Sequence, residues 1–242
     1  MRAAASALLV LAFSGCFGGF DTGPVAPHDY LASDHYTKWV VEVDYAAGQQ
    51  PSPSLLTFLK GRIAPLVHKE SVEMRVDEAL PASDTSWSDG DVQSFAAQHK
   101  SVATEGTTVA THLLFLTGHS EHDSGSARVL GATYGHDLIA IFSQSVQAGC
   151  TLPAPVCTPE PYFQAVLVHE FGHALGLVDN GVPMVHDHEA ATCNNQPDHH
   201  HSSNQNSVMY CQVESSAITL LSRTPTDFDA ADKEDLRAAG GA

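Results

Sequence analysis

The segment from about Pro161 to Leu175 constrains the fold more than any other. Pro161 suits the first turn of a helix and Gly176 stands just past the end, so a helix is predicted between them. Ala165, Val166, Leu167 and Val168 give it an apolar flank, followed at once by His169, Glu170 and His173. Residues four apart on a helix share a face, one turn above the other. Two imidazoles so placed can take two corners of a tetrahedral zinc site. Glu170, beside the first histidine, can reach a water at the metal without being a ligand. Catalytic zinc needs a third protein ligand and an open fourth position. Gly176 can take a left-handed conformation that stops the helix and turns the chain back. Asp179, three residues later, is then expected to swing under the metal.

The pattern HExxHxxGxxD, running from His169 to Asp179, resembles the zinc signature of the metzincin endopeptidases, whose last position is His or sometimes Asp. A second feature supports the resemblance. Ser207-Val208-Met209-Tyr210 places Met209 36 residues after His173 (209 − 173), where that family carries a methionine turn beneath the zinc. Tyr210 follows the methionine directly and is given no role at the metal. The resemblance implies an α+β, metzincin-like zincin fold: a twisted mixed sheet, an active-site helix and a smaller irregular C-terminal lobe, with the cleft between them. It implies Zn2+ as cofactor, His169, His173 and Asp179 as metal ligands, Glu170 as the catalytic proton carrier, and peptide-bond hydrolysis in a protein or peptide substrate. It also implies that Arg128 to Tyr134 pairs with an extended substrate along a free edge.

Several histidines compete for attention. His188, in Met184-Val185-His186-Asp187-His188-Glu189, is a rival third ligand, because an imidazole binds zinc as readily as a carboxylate. Asp198-His199-His200-His201 is read as a solvated loop, with a second metal site as the alternative. His112, His119, His122 and His136 are read as ordinary strand or surface residues. A chain that captured zinc without cutting would have no need of Glu170, which separates a lipid-anchored zinc-binding protein from a protease.

Around the helix the chain alternates strands and helices. Lys38 to Tyr45 reads as a strand, Ser52 to about Lys69 as a helix that Pro65 shortens, and Ser71 to Val76 as a second strand. Asp89 to Lys100 is a short helix or a loop. Thr111 to Thr117, Arg128 to Tyr134 and Leu138 to Ser143 read as strands, the last two around a Gly135-His136-Asp137 turn. Residues 180–206 should be irregular, and Thr226 to Ala239 a final amphipathic helix with an acidic first turn.

The N-terminus points to export. Arg2, an apolar run from Ala3 to Phe13, and Ser14-Gly15-Cys16 form a charged start, a short apolar stretch and small residues. Leu11 to Cys16 resembles a bacterial lipobox, which implies a lipid on Cys16. The expected organisation is residues 1–15 as signal peptide, 16–36 as a lipid-anchored tether and 37–242 as the protease domain. Phe17 after the cysteine favours an outer membrane or cell surface. The remaining Cys150, Cys157, Cys193 and Cys211 suggest two disulfides with three connectivities open, the neighbour pairing Cys150–Cys157 and Cys193–Cys211 being the expectation. With 28 acidic against 11 basic side chains, a net charge of −17 argues against a nucleic-acid partner. A monomer is expected.

Overall fold

A computed structural model describes residues 24–83, 85–124, 128–149, 158–193, 196–197, 199–211 and 225–242. The signal peptide, Cys16, Cys150 and Cys157 lie outside these residues, as do the side chain of Cys193 and the first part of the tether. Cys211 is disulfide-bonded. No described helix is long and apolar enough to cross a membrane.

In chain order the elements are α1 (Pro27–Leu31), β1 (Lys38–Ala46), α2 (Pro53–Ile63), a 3-10 turn (Ala64–Leu66), β2 (Ser71–Leu80), β3 (Ser86–Trp87), α3 (Asp89–His99) and β4 (Thr108–Leu116). Then follow β5 (His119–Ser120), β6 (Gly131–Tyr134), β7 (Leu138–Phe142), α4 (Ser143–Ala148), α5 (Glu160–Ala174), β8 (Thr192–Cys193), β9 (Gln196–Pro197) and α6 (Ala230–Ala238). The main sheet has the order β2-β1-β4-β7-β6. Its first four strands are mutually parallel, and β6 is antiparallel to β7 at the edge. The architecture is therefore mixed α/β, with a mostly parallel sheet.

Parallel strands covered on both faces are apolar along nearly their whole length, and β1 and β4 show it. Trp39, Val41 and Val43 join Leu113, Phe115, Ile139 and Ile141 in the larger core, together with Leu55 and Leu59 of α2 and Val166 and Phe171 of α5. Leu114, Leu116, Ala140 and Phe142 face the other way and meet Val92 and Ala96 of α3. The register Glu42↔His112 and Asp44↔Leu114 puts Glu42 and Asp44 on that second face.

The local signals explain most boundaries. The Ser52 hydroxyl accepts from the Leu55 amide and Pro53 opens α2, while Pro65 confines the continuation to one 3-10 turn. Ser88 and Asp91 form a capping box that starts α3, so the segment left open between helix and loop is a helix. The final helix starts later than Thr226: the Asp229 carboxylate accepts from the Ala231 and Asp232 amides and fixes the cap there.

The tether expected through residue 36 ends earlier. Tyr30 and Leu31 of α1 are fully buried in the larger core, and the Tyr30 hydroxyl donates to the Ala110 carbonyl of β4 at 3.2 Å. Pro27 packs on the turn after α5 so closely that a Cβ on Gly176 would stand 2.6 Å from its Cγ. The polar composition of residues 17–36 hid two anchoring side chains. Leu31→Ala is expected to cost about 2–5 kcal/mol in urea unfolding. A loss below about 1 kcal/mol would show this segment to be a passive linker.

Candidate metal centre

The helix α5 is buried from Ala165 onward: His169 and Glu170 are fully buried and His173 nearly so. His169 and His173 face each other across one turn, with Nε2 atoms 3.1 Å apart. Two nitrogens sharing a tetrahedral zinc at about 2.0–2.1 Å would lie about 3.3 Å apart, so the spacing suits a common ion. The tautomer of His169 is fixed by its other nitrogen. Nδ1 lies 2.6 Å from the Val208 carbonyl, which can only accept, so Nδ1 carries the proton and Nε2 keeps its lone pair for the centre.

The third side chain that the structure brings to this pair is His201. His169, His173 and His201 each offer a ligand atom within 4.8 Å of the others, and all three are buried. The His201 ring stacks on His169 at 5.3 Å between centroids and stands edge-on to His173 at 5.2 Å. Its position follows from backbone pairing on both sides. The His201 carbonyl accepts from the Ala190 amide, and the next residue, Ser202, donates to the Met209 carbonyl and bridges both Glu189 and Tyr210. Residues 200–203 are thereby held between the 188–190 segment and the methionine turn.

Asp179, expected as third ligand, does not join the group. It is exposed. The turn does begin at Gly176 as expected, with φ +83°, but Val178 and Asp179 also take left-handed φ, at 54° and 57°. The Asn180 amide then caps the His173 carbonyl at 3.1 Å. Three left-handed residues in four reverse the chain so sharply that Asp179 points to solvent. A β-branched residue such as Val178 rarely takes this conformation, and it is tolerated here in a fully buried turn.

His188, the rival ligand, is committed elsewhere. Its Nε2 lies 3.3 Å from Asp232 Oδ1 and 3.6 Å from Asp235 Oδ2. Burial opposes charge on this imidazole, but the His186 carbonyl and the two carboxylates outweigh it and raise the pKa. Burial raises the Asp232 and Asp235 carboxyls in turn. This acidic pair supports the methionine turn: the Ser207 hydroxyl donates to Asp232 Oδ2 at 2.5 Å and accepts from the Met209 amide at 2.9 Å.

Met209, expected from the resemblance to lie beneath the metal, packs against α5. It is fully buried, and a Cβ on Gly172 of α5 would lie 2.2 Å from its Sδ. Glu170 stands on the sheet side. Its Oε2 accepts from the Thr133 hydroxyl of β6 at 2.8 Å, and a Cβ on Gly131 would lie 2.6 Å from Oε1. The edge strand thus clasps the carboxylate, using a glycine for room and a threonine for orientation.

The histidine tract 199–201, read from sequence as solvated, divides. His199 and His200 are exposed and His201 is 8% exposed. The signal that could have found it is proximity: His201 stands eight residues before Met209 (209 − 201), inside the loop that forms the floor. A second buried group of metal-ligating type, Glu42, Asp44 and His112, was not anticipated.

No family model matches the chain, and no curated protein matches it. Among solved structures it is similar to the crystal structure of an archaemetzincin from Methanopyrus kandleri, with 12% identity over 85% of this chain and 96% of that one, at a TM-score of 0.47. A likeness of that degree carries nothing about activity, and the function rests on the site itself.

Replacing Gly172 by alanine on an ordinary helix would gain up to about 1 kcal/mol. Here the added methyl must displace Met209, and Gly172→Ala is expected to cost about 1–3 kcal/mol in chemical denaturation. A neutral or stabilising result would mean that the methionine does not sit hard against the helix.

Proposed function

We propose that the protein is a zinc-dependent endopeptidase whose metal is held by His169, His173 and His201. The observation that carries this reading is the convergence of three buried imidazoles beside a buried carboxylate, Glu170, that is not one of the three. Three neutral nitrogens with no anionic donor suit Zn2+, and three protein ligands are the number a catalytic zinc keeps. When bound, zinc would supply Lewis acidity, polarising a peptide carbonyl and lowering the pKa of a water.

The chain's own groups divide the remaining work. Val208 and Met209 orient the first histidine and the helix that carries it. Glu170 takes the proton from the attacking water and delivers it to the departing amine. Thr133, donating to Oε2, holds that carboxylate in place. Edge strand β6 pairs with β7 on one side only in the sheet, so its other side offers backbone groups along which an extended peptide would lie. The metzincin-like reading of the fold belongs to this proposal, as do export and a lipid on Cys16, which rest on the N-terminal sequence.

Glu170→Gln is expected to retain zinc and lower casein cleavage by about 10²–10⁴-fold. Cleavage at the parent rate would remove Glu170 from the mechanism. Absence of cleavage in the zinc-loaded parent would leave a zinc-binding protein instead. In the same preparations, His201→Ala should lose the zinc that Asp179→Ala keeps; the reverse pattern would restore Asp179 as the ligand.

A further inference from the structure

The second buried group lies on the sheet face turned away from α5, and nothing in the proposed proteolysis uses it. Glu42 and Asp44 sit two apart on β1, and His112 is the register partner of Glu42 on β4. All three are fully buried, and each offers a ligand atom within 4.8 Å of the others. Two carboxylates removed from water are costly unless countercharge reaches them. Among the described residues no lysine or arginine pairs with either. The ionisable group that Asp44 meets is the His112 imidazole, Oδ2 to Nε2 at 2.8 Å. Lys100, the basic side chain of the adjoining cleft, is engaged with Asp137 at 2.8 Å.

The carboxylates are held rather than used up. Glu42 Oε1 and Oε2 accept from the Ser101 and Val102 amides at 2.7 and 2.9 Å, and Asp44 Oδ1 accepts from the Glu78 amide at 2.8 Å. An ionised carboxylate has about four lone-pair positions, so each keeps capacity for a further partner. Backbone donors of this kind fix metal-binding carboxylates from behind. His112 faces Asp44 through Nε2, and its Nδ1 is buried with no hydrogen-bond partner. The same residue lines a cleft of about 570 Å³ together with Gln93, Lys100, Tyr134 and Asp137, which gives a route from solvent.

We propose that Glu42, Asp44 and His112 form a second divalent-cation site, separate from the histidine triad. Two oxygens and one imidazole nitrogen make a mixed donor set of the kind taken by Zn2+ or Mn2+, rather than the all-oxygen cage that suits Ca2+. A cation there would neutralise the buried carboxylates and tie β1 and β4 to residues 101–102, so its role is to brace the sheet. The proposal does not depend on the protease reading.

The test uses the full chain, stripped with chelator and equilibrated with Zn2+ or Mn2+. Crystals measured at the metal's absorption edge should show an anomalous peak among Glu42, Asp44 and His112 in addition to any peak at the triad. A peak at the triad alone would overturn the second site, and a peak at the second site alone would overturn the protease reading while leaving this one standing. In solution, Glu42→Gln and Asp44→Asn, checked for native circular dichroism, should each bind one equivalent fewer than the parent, whereas His173→Ala should lose the other equivalent and keep this one. Stoichiometry unchanged in both carboxamide variants would show an ordinary buried ion pair. In the His173→Ala background, saturating Mn2+ should raise Tm by roughly 5 °C. No rise would deny the bracing role.

Discussion

The hydrogen bond from His169 Nδ1 to the Val208 carbonyl joins two halves of the site. It sets the tautomer of the first histidine and ties helix α5 to the turn that pairs with the His201 loop. Without it, the lone pair on Nε2 would lose the bond that fixes its direction, and the turn carrying Met209 would lose a polar anchor on the helix. The packing of Met209 against Gly172 then makes the contact too close to slide. Behind the turn, Ser207 bonds Asp232 of α6, so the last helix of the chain holds the floor of the site. The site is therefore assembled from distant segments, and its geometry is a property of the folded domain rather than of the helix alone.

The sheet contributes the other wall. β6 is short, antiparallel and at the edge, and it places Gly131 and Thr133 against Glu170. A larger residue at 131 would push the carboxylate away, and without the threonine hydroxyl its Oε2 would lose a donor. The same strand leaves one side open for an extended chain. The carboxylate and the edge strand are thus coupled within four residues, Gly131–Tyr134, which gives one physical reason for a glycine in the first position of a strand, where it is otherwise unfavourable.

Much of this was legible in the sequence. The helix α5, its glycine stop and the strands β1, β4 and β7 follow from periodicity and from capping chemistry, which are local, whereas the place given to Met209 came from the resemblance of its spacing to a family pattern. The third imidazole of the buried group was not legible, because its place depends on how a loop returns. Three left-handed residues in the turn after α5 carry Asp179 out to solvent, and no propensity foretells Val178 in that conformation. His201 is brought in by backbone bonds from Ala190 to its own carbonyl and from Ser202 to Met209, contacts that link residues 11 and 7 positions apart (201 − 190 and 209 − 202) through an irregular segment. Its two histidine neighbours in sequence are exposed, which made the tract look solvated. The polar stretch before β1 misled in the same way, since Tyr30 and Leu31 bury themselves against elements far along the chain. Likewise Glu42, Asp44 and His112 look like scattered strand residues until the parallel register brings them side by side.

The proposed chemistry turns on which atoms would grip a zinc ion at α5. X-ray absorption spectroscopy at the zinc edge, on protein loaded with one equivalent, reads the ligand set directly. The account predicts three imidazoles and a light-atom fourth ligand, with the outer-shell imidazole scattering falling by one third in His201→Ala if metal is forced in at high concentration. A spectrum with two imidazoles and a protein carboxylate, unchanged by that substitution, would contradict it.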